Sequence, residues 1–140
     1  MNLHKTIYLI FISISLKIFS QSVEFEKYTL ENGLDVILHQ DNSAPVITTA
    51  VMYHIGAKDE SSDKTGFAHF FEHLLFDGTK NIGKGQWGNL VNTSGGWYNA
   101  NTSADRTYYY NVFPSNNLEL SLWLESERML HPIISQSGID

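Results

Sequence analysis

The residues with the clearest capacity for chemistry are His69, Glu72 and His73, in the run His69-Phe70-Phe71-Glu72-His73. On a helix, positions four apart lie one turn above each other, so the two imidazoles can hold one metal ion between them. Glu72, three residues after His69, falls on the same side and can reach a water on that ion without displacing either ring. Neutral imidazole suits zinc, and the ion lowers the pKa of a bound water toward about 7. Glu72 is then placed to take the water's proton and to return it to a departing amine. That chemistry is peptide hydrolysis. Three fixed positions recur by chance in roughly one chain of this length in a few hundred, so the spacing needs a supporting context. The competing reading is an ordinary amphipathic helix whose histidines bond main-chain oxygens. It gives no reason for two His and one Glu on an apolar helix.

The elements around the motif supply that context. Residues 23–29 and 34–39 alternate apolar and polar positions about the turn Glu31-Asn32-Gly33, which predicts a β-hairpin. Residues 46–55 are apolar and rich in β-branched side chains, and predict a long central strand covered on both faces. A charged loop over 56–64 follows, and Thr65 is placed to cap a helix over 66–76 that carries the motif, with Gly78 beyond its end. The glycine-bearing stretch 81–85 reads as mobile and 86–92 as a short amphipathic helix. Residues 97–102 and 107–113 predict two more strands, with Tyr108, Tyr109 and Tyr110 facing alternately. A last helix starts at Pro114-Ser115-Asn116 and carries Leu118, Leu122, Trp123 and Met129 to about Leu130. This order predicts an α+β fold with a largely antiparallel sheet packed against helices.

Composition removes several function classes. With no cysteine in 140 residues there is no thiolate nucleophile or Cys-type metal site, so His and carboxylates must hold any metal. A net charge of −6 leaves no electrostatic footprint for nucleic acid or an anionic membrane. Lys5, the apolar run over 7–16 and Lys17 read as a signal peptide over 1–20, too short to span a bilayer. Export to the periplasm or the extracellular space is therefore expected, with residues 21–140 forming one domain free of the membrane once the leader is removed.

His69-Phe70-Phe71-Glu72-His73 followed by Leu74-Leu75-Phe76-Asp77-Gly78-Thr79 resembles the inverzincin peptidases of the pitrilysin and insulin-degrading type, peptidase family M16. Gly33-Leu34, Gly56, Gly66, the run Gly96-Trp97-Tyr98-Asn99-Ala100-Asn101-Thr102 and Asp105-Arg106-Thr107-Tyr108-Tyr109 fall in the order of that family, whose likeness runs from about Val23 to the C-terminus. The resemblance implies a half-domain of the metallopeptidase type, shared with the mitochondrial processing peptidases. It implies one zinc held by His69, His73 and a downstream glutamate, with Glu72 as general base. It also implies that Asn99, Ala100, Asn101 and Thr102 form an edge strand pairing with an extended substrate, a peptide or small unfolded protein. A second homologous half-domain or subunit is the implied partner.

In the family the glutamate ligand lies about 75 residues after the second His, a position beyond Asp140. The 140 residues are accordingly expected to be an N-terminal part of the peptidase domain, one zinc ligand short and inactive alone. Glu119, Glu125 and Glu127 are the substitutes available within the chain. His54 is a candidate second-layer residue, although a lone strand His is more often structural; His39 and His131 have less support. Asp59, Glu60 and Asp63 lack the spacing of a calcium loop and read as a solvated turn. Without a basic patch, Trp97 and the three tyrosines read as packing residues. Two other functions compete with the peptidase: a non-catalytic family subunit that binds substrate or partner, which would ordinarily have lost motif residues, and an S-ribosylhomocysteine lyase-like enzyme, which would need a cysteine.

Overall fold

The computed structural model describes residues 22–134 and 136, which fall into two compact units divided after Ser43. The signal-peptide expectation over residues 1–20 lies outside the described residues. The first unit is a hairpin of β1 (Glu26–Thr29) and β2 (Asp35–Leu38), antiparallel with Glu26 opposite Leu38. Its turn needs Gly33, whose φ of 86° is left-handed, while the Asn32 side chain accepts from the Leu34 N–H at 3.1 Å.

The second unit is built on a three-stranded antiparallel sheet, in the order β3 (Val46–Tyr53), β5 (Thr107–Pro114), β4 (Trp97–Thr102). The central strand is β5, not the 46–55 segment that the sequence suggested. The expectation that β3 is covered on both faces also fails: Val46, Thr48, Ala50 and Met52 are exposed, while Ile47, Thr49, Val51 and Tyr53 are half-buried. Strand alternation puts Tyr109 on the covered face with Asn111 and Phe113, and Tyr108 and Tyr110 on the other. There Tyr110 lies 5.3 Å from Trp97 and 5.5 Å from Tyr108, centroid to centroid.

Three helices pack on the covered face: α1 (Phe67–Leu74), α2 (Gln86–Thr93) and α3 (Leu118–Leu130), the last preceded by a 3₁₀ turn at Ser115–Asn117. Their apolar core joins Ile82, Trp87, Val91, Phe113 and Leu124. The architecture is the predicted α+β one with an antiparallel sheet. One local expectation is overturned. Residues 81–85 are not a loose loop: Ile82 is buried, Thr79 Oγ1 donates to Glu127 at 2.7 Å, and Asn81 Nδ2 donates to the same carboxylate at 2.7 Å. Helix α3 exposes Leu118, Leu122 and Trp123 and buries Ser121, Leu124, Glu125 and Arg128. The buried polar stripe is satisfied from the sheet: Ser121 shares a 2.6 Å hydrogen bond with Thr49, and Asn111 donates to Glu125 at 2.6 Å.

Arg128 occupies the middle of the unit. Its guanidinium pairs with Glu125, Nε to Oε2 at 3.1 Å, and stands 4.1–4.3 Å from the ring centroids of Trp87, Tyr109 and Phe76. A buried charge is tolerable only with such partners; removing one member of a buried pair costs about 3–5 kcal/mol.

The loop from β3 to α1 is stitched to the β4–β5 turn by Ala57 N–H to Ser103 O at 3.0 Å and Lys58 N–H to Ala104 O at 2.7 Å. This approach requires Gly56, where a Cβ would press on Ser103 O and come within 2.7 Å of Arg106 N. Gly56→Ala is expected to destabilise the fold by about 1–3 kcal/mol through overpacking against backbone, measured as a lowered urea midpoint at an unchanged slope.

Candidate metal centre

Helix α1 is only 8 residues long and starts at Gly66, whose φ of 90° lies in the left-handed region. Thr65 does not cap it. The Glu60 carboxylate does, accepting from the Gly66 and Ala68 N–H groups at 2.7 Å each. The acidic turn of Asp59, Glu60 and Asp63 is therefore neither a calcium loop nor merely solvated, since Asp59 also accepts from the Gly56 N–H at 2.9 Å. A signal for this was present in the sequence: an acidic side chain a few residues before an uncapped helix start complements the orphan N–H groups there.

The two motif histidines meet as their spacing predicts, whereas Glu72 does not share their exposed face. His69 and His73 are exposed, with their Nε2 atoms 3.1 Å apart and ring centroids 4.8 Å apart. Zn–N bonds of about 2.05 Å at a tetrahedral angle put two imidazole nitrogens about 3.3 Å apart, so the pair fits a shared zinc with almost no adjustment. Among the described residues neither ring is hydrogen-bonded to a main-chain oxygen; the two imidazoles contact each other. Glu72, by contrast, is 7% exposed. Its Oε2 accepts a short hydrogen bond from the Thr102 hydroxyl on β4. Its main-chain carbonyl accepts from the Tyr109 hydroxyl at 3.4 Å. Burial pushes the Tyr109 hydroxyl far above its ordinary pKa, with the Arg128 charge opposing, so it stays a proton donor throughout the physiological range.

His69 and Glu72 line a cleft of about 430 Å³ with Glu60, Ala100, Asn101 and Thr102. Of the four residues assigned to substrate, three therefore border the motif. Asn99 does not line the cleft; its Oδ1 instead accepts from the Ala100 N–H at 2.8 Å. Strand β4 is hydrogen-bonded to β5 alone and is an edge of the sheet among the described residues. His54, His39 and His131 are exposed, and His39 Nδ1 lies 2.6 Å from the Glu24 carbonyl.

Two of the three substitute carboxylates have other partners. Glu125 is held by Arg128 and Asn111, and Glu127 by Thr79 and Asn81. Glu119 lies exposed in the first turn of α3. Among the described residues no group of three His, Cys, Asp or Glu is arranged to hold a metal.

The family profile for Insulinase (Peptidase family M16) matches residues 35–140, helix α1 and the three-stranded sheet included. The chain belongs to peptidase family M16. Among relatives, zinc protease PqqE of Helicobacter pylori is 41% identical over 105 residues, covering 74% of this chain and 24% of the relative. Human insulin-degrading enzyme is 31% identical over 118 residues, covering 84% of this chain and 12% of the enzyme. The crystal structure of a protease from Helicobacter pylori superimposes with a TM-score of 0.80 at 36% identity, over 84% of this chain and 28% of that one. The M16 chain thus spans about a quarter or less of the length of these relatives. Family membership also removes the grounds for the lyase-like alternative, which rested on the helix motif alone.

Glu127 supplies a test of which carboxylates are structural. Hydrogen bonds from Thr79 and then Asn81 hold its carboxyl below the ordinary 4.5. A depressed folded pKa stabilises the fold above the unfolded value, and that contribution is lost as pH falls through the folded one. Urea midpoints taken from about pH 6 down to about pH 3 are expected to fall more steeply for the native sequence than for Glu127→Gln.

Proposed function

We propose that this protein is an exported zinc metallopeptidase that hydrolyses peptide bonds in peptides or small unfolded proteins. The observation that carries this reading is the convergence of His69 and His73 Nε2 to 3.1 Å, with His69 and the buried Glu72 lining one cleft. Zinc bound there supplies Lewis acidity, activating water near neutral pH and polarising the substrate carbonyl.

The chain's own residues then have separable tasks. His69 and His73 hold the ion through Nε2. Glu72 takes the proton from the attacking water and passes it to the leaving amine; a positioned general base of this kind is worth about 10²–10⁴ in rate. Thr102 holds the Glu72 carboxylate by one oxygen, which keeps the other free toward the cleft. Ala100, Asn101 and the neighbouring Asn99 offer a sheet edge on which an extended peptide adds as a strand, so main-chain hydrogen bonds set its register. The third ligand is a glutamate beyond Asp140, as the family resemblance implies, since Glu125 and Glu127 are committed elsewhere. The 140 residues alone would then bind zinc weakly and turn over no substrate. A second homologous half-domain or subunit closes the site. The presence of all three motif residues favours a catalytic chain over a non-catalytic subunit.

In the full-length protein, His69→Ala is expected to lose zinc. Glu72→Gln should retain zinc but lose about 10²–10⁴ in kcat at similar KM. Zinc content by elemental analysis and cleavage of a quenched fluorogenic peptide measure the two effects; equal zinc in all three proteins would remove the metal assignment.

A further inference from the structure

Helix α1 has eight residues, too few to be stable by its own hydrogen bonds. Its place must be set from outside, and two ionic side chains, one from the preceding loop and one from α3, meet it at opposite ends. At the N-terminus Glu60 accepts from Gly66 and Ala68, 2.7 Å each. Glu60 is itself fixed, because its loop is stitched to the β4–β5 turn through Ala57 and Lys58. At the C-terminus the helix tightens: Phe76 N–H turns to His73 O at 3.0 Å, so it does not serve the Glu72 carbonyl four residues back. Tyr109 takes that carbonyl instead, at 3.4 Å. Arg128 Nη1 donates to the next exposed acceptor, Leu75 O, at 3.1 Å. The signs match the helix dipole, a carboxylate at the positive end and a guanidinium at the negative end.

We propose that Glu60 and Arg128, assisted by Tyr109, are positioning residues that clamp the metal helix by its two ends and so hold His69 and His73 at ligating distance. Neither ion touches an imidazole. Each acts through backbone groups of the helix, Glu60 from the wall of the cleft and Arg128 from the buried core. The clamp explains why a guanidinium is kept in the core, where an apolar side chain would pack at less cost, and why Glu60 is turned toward a helix end when it could face solvent. Its purpose rests on the metallopeptidase reading; its existence does not.

The test separates the two. In the metal-free full-length protein, native-state hydrogen exchange reads the clamp directly, with β5 amides as internal reference. Glu60→Ala is expected to speed exchange at Phe70 to Leu75 about tenfold or more relative to β5, with Glu60→Gln intermediate because it keeps one acceptor. Tyr109→Phe, which deletes a single hydroxyl, should loosen only the C-terminal turn. Arg128→Lys is expected to do the same, and if it lowers global stability the two Glu60 variants carry the test. Protection of α1 unchanged against β5 in Glu60→Ala and Tyr109→Phe would overturn the clamp. Zinc titration by chelator competition then reads its purpose: Kd is expected to rise about tenfold in Glu60→Ala. A native Kd alongside a loosened helix would overturn the positioning role. Zinc binding by the unaltered protein no tighter than by His69→Ala would instead overturn the metallopeptidase reading, and leave the exchange result to decide the clamp.

Discussion

A guanidinium shut away from water imposes its requirements on everything around it. Arg128 has five N–H donors and a permanent charge, and in this fold four elements arrange themselves to meet them. Helix α3 supplies Glu125, and β5 supplies Asn111 to hold Glu125 and Tyr109 to face the charge. Helix α2 supplies Trp87, and the segment after α1 supplies Phe76 and the Leu75 carbonyl. Apolar packing of Ile82, Val91, Phe113 and Leu124 is non-directional and would tolerate a small rotation of α1. The charged junction is directional and would not. Position along α1 matters because His69, Glu72 and His73 are all carried on that one helix.

The treatment of the three motif residues follows from the same geometry. His69 and His73 stand exposed with their ring nitrogens converging, whereas Glu72 is buried and tied to Thr102. A helix face cannot turn three neighbouring side chains the same way. Glu72 lies about 60° around the helix from His69 at i+3 and about 100° from His73 at i+1, which carries it toward β4 while the imidazoles look out. The separation has a chemical use under the proposed function. Ligands must be open to the ion and its water, but a base is effective when desolvated and held in one rotamer.

Much of this was legible in the sequence, and the parts that were not share a cause. The i, i+4 spacing of His69 and His73 fixes their meeting on any helix, and the order of strands and helices reads directly from periodicity, so those expectations hold. Helix α3 did not yield, because Leu118, Leu120, Leu122, Trp123, Leu124 and Met129 surround it almost completely and give no single stripe. What selects the buried face is the polar set Ser121, Glu125 and Arg128, which counting apolar residues assigns to solvent. The place of β3 was misread for a related reason: length and β-branching mark a strand, but only the pairing of β5 with both neighbours decides which strand is central. The role of Glu60 was passed over because its partners are backbone N–H groups, which every sequence contains at every helix start, and Thr65 stood where a side-chain cap was expected.

These misreadings converge on one physical point. Hydrophobic pattern locates elements, whereas the groups that orient them here are buried or half-buried polar side chains bonded to main chain: Glu60 to Gly66 and Ala68, Tyr109 to Glu72, Arg128 to Leu75, and Thr107 to the Ile55 carbonyl at 3.1 Å. Each such bond contributes about 1 kcal/mol net, more where charge is involved, and leaving a buried donor or acceptor unmet costs about 1–3 kcal/mol. Their stabilising value is therefore modest beside the apolar core, while the penalty for a wrong orientation is steep. A short helix that, under the proposed function, presents two ligands at 3.1 Å benefits from that asymmetry, because a displacement of even one ångström would strand several polar groups at once. Positional precision in this site comes from making the alternatives costly, and the side chains that do so lie outside the motif by which the site is recognised.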